Sequence, residues 1–155
     1  MVAQAVSVRV CEERDLEAFE RMSTPRHAAY CREQLARGAR AMTILVAVDE
    51  EDTAIGKAHL EFEERAGDRT AVLIAAFVAQ ALRGRGIGTE LMRRAEETVC
   101  SRGFTTIVLG VEDSNPGARR LYERLGYEVV SSGDFQYVGA PDPNPGVWMR
   151  KELEC

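Results

Sequence analysis

Four cysteines are scattered through the 155 residues, Cys11, Cys31, Cys100 and Cys155, with no C-x-x-C pair among them and only two histidines elsewhere. That spacing supplies neither a zinc ligand set nor the framework of a small disulfide scaffold, so reduced thiols and no metal are expected. Positive charge is also in short supply: 20 Lys and Arg face 25 Asp and Glu, a net charge of −5. Nucleic acid is therefore not expected as a partner, because displacing its counterions takes a basic surface. A cationic small substrate is compatible with the balance. No run of apolar residues approaches the ~20 needed to cross a bilayer, and the opening MVAQAVSVRV has no basic segment leading into a long apolar core. These absences predict a soluble cytoplasmic protein without a membrane partner. No linker, repeat or low-complexity stretch interrupts the chain, whose length suits a single domain over residues 1–155.

What the chain does have is a regular succession of strand and helix patterns. Val6 to Val10 alternates as a half-buried strand does, and Leu16, Phe19 and Met22 are spaced as on a helix. Thr24-Pro25 supplies an N-cap followed by proline in the first turn, with Gly38 as a stop, which predicts a second helix over Pro25 to Arg37. Thr43–Val48 and Ile55–Glu63 flank the acidic turn DEED as a hairpin. The nearly continuous apolar run Val72–Val78, VLIAAFV, predicts a strand covered on both faces. Ile87, Leu91, Ala95 and Val99 recur every fourth residue on a helix that should end near Gly103. Thr105–Val111 is a further strand, and Asn115-Pro116 opens a helix with Ala118, Leu121, Tyr122 and Leu125 on one face before Gly126. Short strands Tyr127–Val130 and Phe135–Val138, a loop GAPDPNPG and a last strand Val147–Leu153 complete the order βααβββαβαββ, an α/β domain with a mixed sheet.

Between the VLIAAFV strand and the next helix stands LRGRGIGTEL, Leu82 to Leu91. Glycines between a strand and a helix start leave backbone N–H groups open to an anion, which the helix dipole also favours. A dinucleotide fingerprint beginning at Gly84 needs glycine where Thr89 stands, and a Walker loop needs G-K-[ST], which is absent. The pattern that remains is R-x-x-G-x-G, Arg83 to Gly88, and beyond the following strand comes NPGARRLYERLGY, Asn115 to Tyr127. In that order the two motifs resemble the GNAT acetyltransferase superfamily, whose acetyl-CoA loop has the first form and whose next helix reads N-x-x-A-x-x-L-Y-E-x-x-G-[FY].

The resemblance implies a GNAT-type fold, a strongly twisted mixed sheet flanked by helices, in which the parallel strands Val72–Val78 and Thr105–Val111 splay apart to hold CoA. It implies acetyl-CoA as cosubstrate, with pantetheine along the edge offered by Phe77 and Val78. The pyrophosphate would rest on the loop of Gly84, Arg85, Gly86, Ile87, Gly88 and Thr89, with Arg83 and Arg85 adding positive charge. Asn115 and Tyr122 would also contact CoA, and the Tyr122 hydroxyl would protonate the departing thiolate. Gln80 stands where typical members carry proline, a departure confined to the loop entry.

Family members often carry a base on the strand before the glycine loop, yet VLIAAFV has no titratable residue. Alternation sends His59, Glu61 and Glu63 to the face away from Leu60 and Phe62. Glu61 is accordingly expected to line the acceptor pocket and take the amine proton, directly or through water, with His59, Glu63 and Glu112 as rival sites. The reaction expected is direct acetyl transfer to the primary amine of a small molecule, without a cysteine nucleophile, since Cys100 falls on the helix after the loop. A protein N-terminus or lysine as acceptor, and a CoA-sensing module without turnover, are the alternatives; a homodimer is left open.

Overall fold

The computed structural model describes residues 6–22, 25–135 and 142–155. Strand β1 (Ser7–Val10) leads through a 3-10 turn at Glu13–Asp15 into α1 (Leu16–Met22) and then α2 (Pro25–Ala36). Thr24, the expected cap of α2, lies outside the described residues. Gly38 stands beyond the other end at φ +86°, its N–H on the Leu35 carbonyl at 3.1 Å, the left-handed stop that glycine permits. Strands β2 (Met42–Val48) and β3 (Ala54–Glu61) form the expected hairpin. Its acidic turn is held by the Asp49 carboxylate, which accepts from the N–H groups of Glu51 (2.9 Å) and Thr53 (3.0 Å).

Every residue of β2 and β3 is buried, because helices cover both faces of the sheet. On one face α1 and α2 pack over Met42, Ile44 and Val46; on the other, α3 (Ile87–Ser101) packs over Leu45, Ala58 and Leu60. The buried stripe of α3 contains Ile87, Leu91, Ala95 and Val99, the positions its four-residue spacing predicts. Strands β4 (Thr70–Val78) and β5 (Thr106–Glu112), helix α4 (Pro116–Arg124) and strands β6 (Glu128–Phe135) and β7 (Asn144–Glu152) complete the chain. The sheet order is β1-β2-β3-β4-β5-β7-β6, antiparallel except between β4 and β5.

The feature that positions a site is the parting of β4 from β5. Their parallel ladder runs from Thr70↔Thr106 to Leu73↔Leu109 and stops. Beyond it β4 stays with β3 (Gly56↔Val78) while β5 stays with β7 (Glu112↔Gly146). Within the same stretch β4 carries one extra residue: Lys57 faces Phe77 but His59 faces Ile74, a bulge that re-aims the strand. The expectation of a strand covered on both faces therefore holds only for its first half. Residues Ala71 to Leu73 are buried, whereas Ala76 is exposed and Phe77 and Val78 are partly so.

Two expectations near the C-terminus are corrected. In place of short strands at Tyr127–Val130 and Phe135–Val138, β6 runs unbroken through Ser131, Ser132 and Gly133, since pairing along β7 overrides their weak strand preference; residues 136–138 are outside the described set. Of the expected loop GAPDPNPG, Asn144 to Gly146 already belong to β7. Pro145 fits there because the ladder asks only for its carbonyl, which accepts the Asp113 N–H at 3.0 Å.

The thiols also differ from expectation. Cys100, at the end of α3, is bonded to Cys155 across 55 residues, while Cys11 and Cys31 are free and buried. The two sulfurs meet because the chain beyond β7 runs back beside β5, Leu153 N–H donating to the Thr105 carbonyl at 2.8 Å. Closing a loop of that length restricts the unfolded chain by up to about 4 kcal/mol. Reductant should therefore lower the calorimetric Tm of the parent protein and leave Cys155→Ser unmoved; an identical transition with and without reductant would show that the bridge contributes nothing. Among the described residues no helix is long and apolar enough to cross a membrane.

Candidate active site

The glycine loop is built around two backbone positions that side chains rarely adopt. Gly84 has φ +79° and Gly86 φ +83°, and a Cβ added at either would meet nothing within 4 Å, so the positive φ itself explains the glycines. Gly86 is the N-cap of α3. The Glu90 N–H is the donor that reaches back to the Gly86 carbonyl (3.1 Å), which leaves the amides of Ile87, Gly88 and Thr89, ahead of it, for a partner outside the helix. Gly88 has a second reason for its identity, since a Cβ there would lie 3.1 Å from Leu121 of α4. Arg83 folds back along the loop, donating from Nε to the Val78 carbonyl (3.1 Å) with its guanidinium 5.4 Å from the Phe77 ring centre.

A cleft of about 570 Å³ opens between α3 and α4 at the parting of the strands. Its lining takes Phe77 and Val78 from β4, Arg83, Gly84, Gly86, Ile87, Gly88 and Thr89 from the loop and the first turn of α3, and Asn115 and Tyr122 from the cap and body of α4. Arg85 is exposed on the loop and does not contribute to the walls. Asn115 caps α4, accepting the Ala118 N–H at 3.2 Å. Tyr122 is 7% exposed and packs edge-on against Tyr127 with ring centres 5.9 Å apart. Apart from Arg85, then, the sequence-predicted cofactor residues come together around a single space. A larger hollow of about 810 Å³, lined by Arg37, Phe62, Arg102 and Phe104, lies at the other end of β3, away from the glycine loop.

Glu61 is not among the residues so gathered, and its expected role is corrected. It pairs with Val72 and Met42 at the far end of β3, whereas Gly56 and Lys57 sit at the end facing the cleft. Its carboxylate is held by Arg37 (2.5 Å) and by the N–H groups of Glu63 (2.5 Å) and Glu64 (3.0 Å). Burial alone would raise this carboxyl, but those two amides and the Arg37 guanidinium outweigh it and hold it below the ordinary range. Because the native value lies below the unfolded one, the stabilisation is complete above about pH 4.3 and fades as pH falls through the native value. Glu61→Gln should thus lose roughly 1–3 kcal/mol of stability at neutral pH, a deficit that shrinks on acidification, with acetyl transfer unchanged. Lost activity at unchanged Tm would return Glu61 to the site.

The rival acids and histidine also have definite surroundings. Glu63 is exposed, 3.4 Å from Arg37. His59 is fully buried beneath α2, its Nε2 2.8 Å from Lys57 Nζ and 3.8 Å from Cys31 Sγ, and its ring 6.1 Å from that of Tyr30. Burial and the Lys57 charge push His59 well below its ordinary value, and burial brings Lys57 down to about 8. Glu112 ends β5, at the parting of the strands.

The family model for the Acetyltransferase (GNAT) family matches residues 8–127. The chain belongs to the GNAT acetyltransferase family. Among solved GNAT-like structures it resembles spermidine N-acetyltransferase from Vibrio cholerae in complex with CoA and spermine, with a TM-score of 0.77 at 20% identity over 95% of each chain. It also resembles a phosphinothricin acetyltransferase from Sinorhizobium meliloti in complex with acetyl-CoA, with a TM-score of 0.74 at 18% identity over 96% of this chain and 88% of that one. These likenesses confirm the fold. In sequence the GNAT chain is 30% identical over 105 residues, 67% of its length, to the L-methionine sulfoximine/L-methionine sulfone acetyltransferase of Pseudomonas paraeruginosa. It is 37% identical over 79 residues, 51% of its length, to the mycothiol acetyltransferase of Corynebacterium jeikeium. The matches span 60% and 23% of those two relatives.

Three features of β3 and β4 around this GNAT site were not legible in the sequence. The bulge in β4 leaves no mark in an apolar run. The Lys57–His59 contact needs both residues on one face of β3, which alternation does supply, but their burial depends on α1 and α2 above them. Gly56 is the third: a Cβ there would stand 3.0 Å from the Phe77 carbonyl, so its absence lets β3 approach β4 beside the cleft.

Proposed function

We propose that this GNAT protein transfers the acetyl group of acetyl-CoA directly to the primary amine of a small molecule. The observation that carries the reading is the meeting, in one cleft, of the open α3 amides, the β4 edge that has left β5, and Tyr122. The residues fit the cosubstrate: a pyrophosphate suits the amides of Ile87, Gly88 and Thr89 at the positive end of a 15-residue helix, and a pantetheine arm suits a strand edge without a ladder partner. Acetyl-CoA supplies an activated thioester. The protein's part is to hold the thioester against the amine, worth up to ~7–11 kcal/mol, with a backbone N–H at the Phe77–Val78 edge polarising its carbonyl. Tyr122 donates its hydroxyl proton to the leaving sulfur, while the proton shed by the attacking nitrogen passes through water to solvent, from which the tyrosine is reprotonated.

Cysteine does not intervene. Burial pushes the Cys11 thiol up to about 12 and raises Cys31 as well, and Cys100 is oxidised. The relatives named for mycothiol and for methionine sulfoximine support a small acceptor over a protein one. The testing experiment is a panel of amines, amino acids, aminoglycosides and peptides with acetyl-CoA, read as free-thiol release. Release stimulated by small amines is expected. Stimulation by peptides alone would move the acceptor to proteins, and tight CoA binding without stimulation by any member would leave a sensing module.

A further inference from the structure

Along β5, Ile107, Leu109 and Val111 enter the core beneath α3, so Gly110 and Glu112 face the opposite side of the sheet. Gly110 is the first β5 residue past the last β4 pair, Leu73↔Leu109. Over it lies the ring of Phe135, which makes an edge-on pair with Trp148, centres 5.0 Å apart and planes at 62°; both are partly exposed. Three glycines on three adjacent strands make the seat. A Cβ on Gly110 would overlap the Phe135 ring and one on Gly133 would stand 2.8 Å from Trp148 Nε1, while one on Gly146 would run first into the Val111 carbonyl and Glu112 Cα of β5 and would also stand 2.9 Å from Phe135 Cε2. Beside Gly146, its register partner, Glu112 accepts from the Ser114 hydroxyl (3.0 Å) and the Asn144 amide (3.3 Å). Both donors are neutral, so they orient the carboxylate without cancelling its charge.

An aromatic pair held against the sheet beside an oriented carboxylate is a receptor for an organic cation. We infer that Phe135, Trp148 and Glu112 form the acceptor subsite, and that it takes a primary amine whose ammonium-bearing carbon carries no carboxylate, in contrast to the α-amino acid for which the methionine sulfoximine relative is named. The inference rests on the acetyl-transfer reading above: with the CoA arm filling the cleft lined by α3 and α4, the opposite face of the sheet at the same parting of the strands, where Gly110 and Glu112 lie, is the side left to the amine. An α-carboxylate would be brought against Glu112, and like charges so placed discriminate strongly.

Trp148 is the sole tryptophan of the sequence, which allows the subsite to be read without turnover. Phenethylamine and phenylalanine, identical apart from the carboxylate, would each be titrated into CoA-saturated protein while Trp148 emission is followed. Phenethylamine should change the emission saturably and bind at least ~10-fold more tightly than phenylalanine. Glu112→Gln should narrow that gap, and Phe135→Ala should weaken phenethylamine while CoA affinity, measured separately, is kept. Equal binding of the two ligands, or turnover of amines with unmoved emission and an indifferent Phe135→Ala, overturns the subsite and leaves acetyl transfer standing. Selective binding without any acetylated product upholds the subsite and instead removes the catalytic reading.

Discussion

Gly86→Asp is expected to weaken CoA binding by at least ~10-fold, about 1.4 kcal/mol, in a protein that still folds. Gly86 stands at φ +83° as the N-cap of α3, next to the amides proposed for the pyrophosphate. The space around its missing Cβ is empty, so the new side chain meets no protein atom. What it meets is the volume through which a phosphate must approach, and it meets it with a negative charge. Asparagine has nearly the same shape, tolerates the left-handed conformation comparably, and carries no charge. Gly86→Asn should therefore bind CoA much better than Gly86→Asp, with the difference falling as salt is added. Calorimetric titration of the two variants decides the matter: equal affinities would assign the loss to sterics alone, and parent-like affinity in Gly86→Asp would remove the loop from the site.

Tyr122→Phe should lower kcat by roughly 10²-fold, the lower end of what a positioned acid supplies, because a thiol of pKa about 8.5 leaves more readily than an amine or alkoxide. The KM for acetyl-CoA should hardly change, since the hydroxyl acts after the cosubstrate is bound. The ring is 7% exposed and retains its contact with Tyr127 when the oxygen is removed, so the variant should fold normally. The deficit should also depend on the leaving group, being smaller with a thioester of a more acidic thiol. An unaltered kcat across pH would make Tyr122 a packing residue and leave the thiolate to solvent.

The order of elements was legible because each signal is local. Four-residue spacing identified the buried stripe of α3, and Asn115-Pro116 identified the start of α4. The loop was legible for the same reason: positive φ at Gly84 and Gly86 is a demand made residue by residue, and glycine is its visible answer. Glu61 shows where local signals end. Alternation reports which face a strand residue takes but not which end of the sheet it occupies, nor that Arg37 arrives from the end of α2 to claim it. The Cys100–Cys155 bond escaped notice because its partners meet only through the pairing that brings the end of the chain beside β5. The seat of Phe135 likewise depends on glycines from β5, β6 and β7, which no single stretch of sequence places together.

The most direct test of the account follows the acetyl carbon itself. Protein would be incubated with acetyl-CoA isotopically labelled in the acetyl group and an amine that stimulates thiol release, and both protein and small molecules would then be weighed by mass spectrometry. Direct transfer predicts one labelled acetyl group on the amine nitrogen for each CoA thiol freed, with none retained on the protein. Label held on the chain, or thiol released with the label recovered only as acetate, would contradict it.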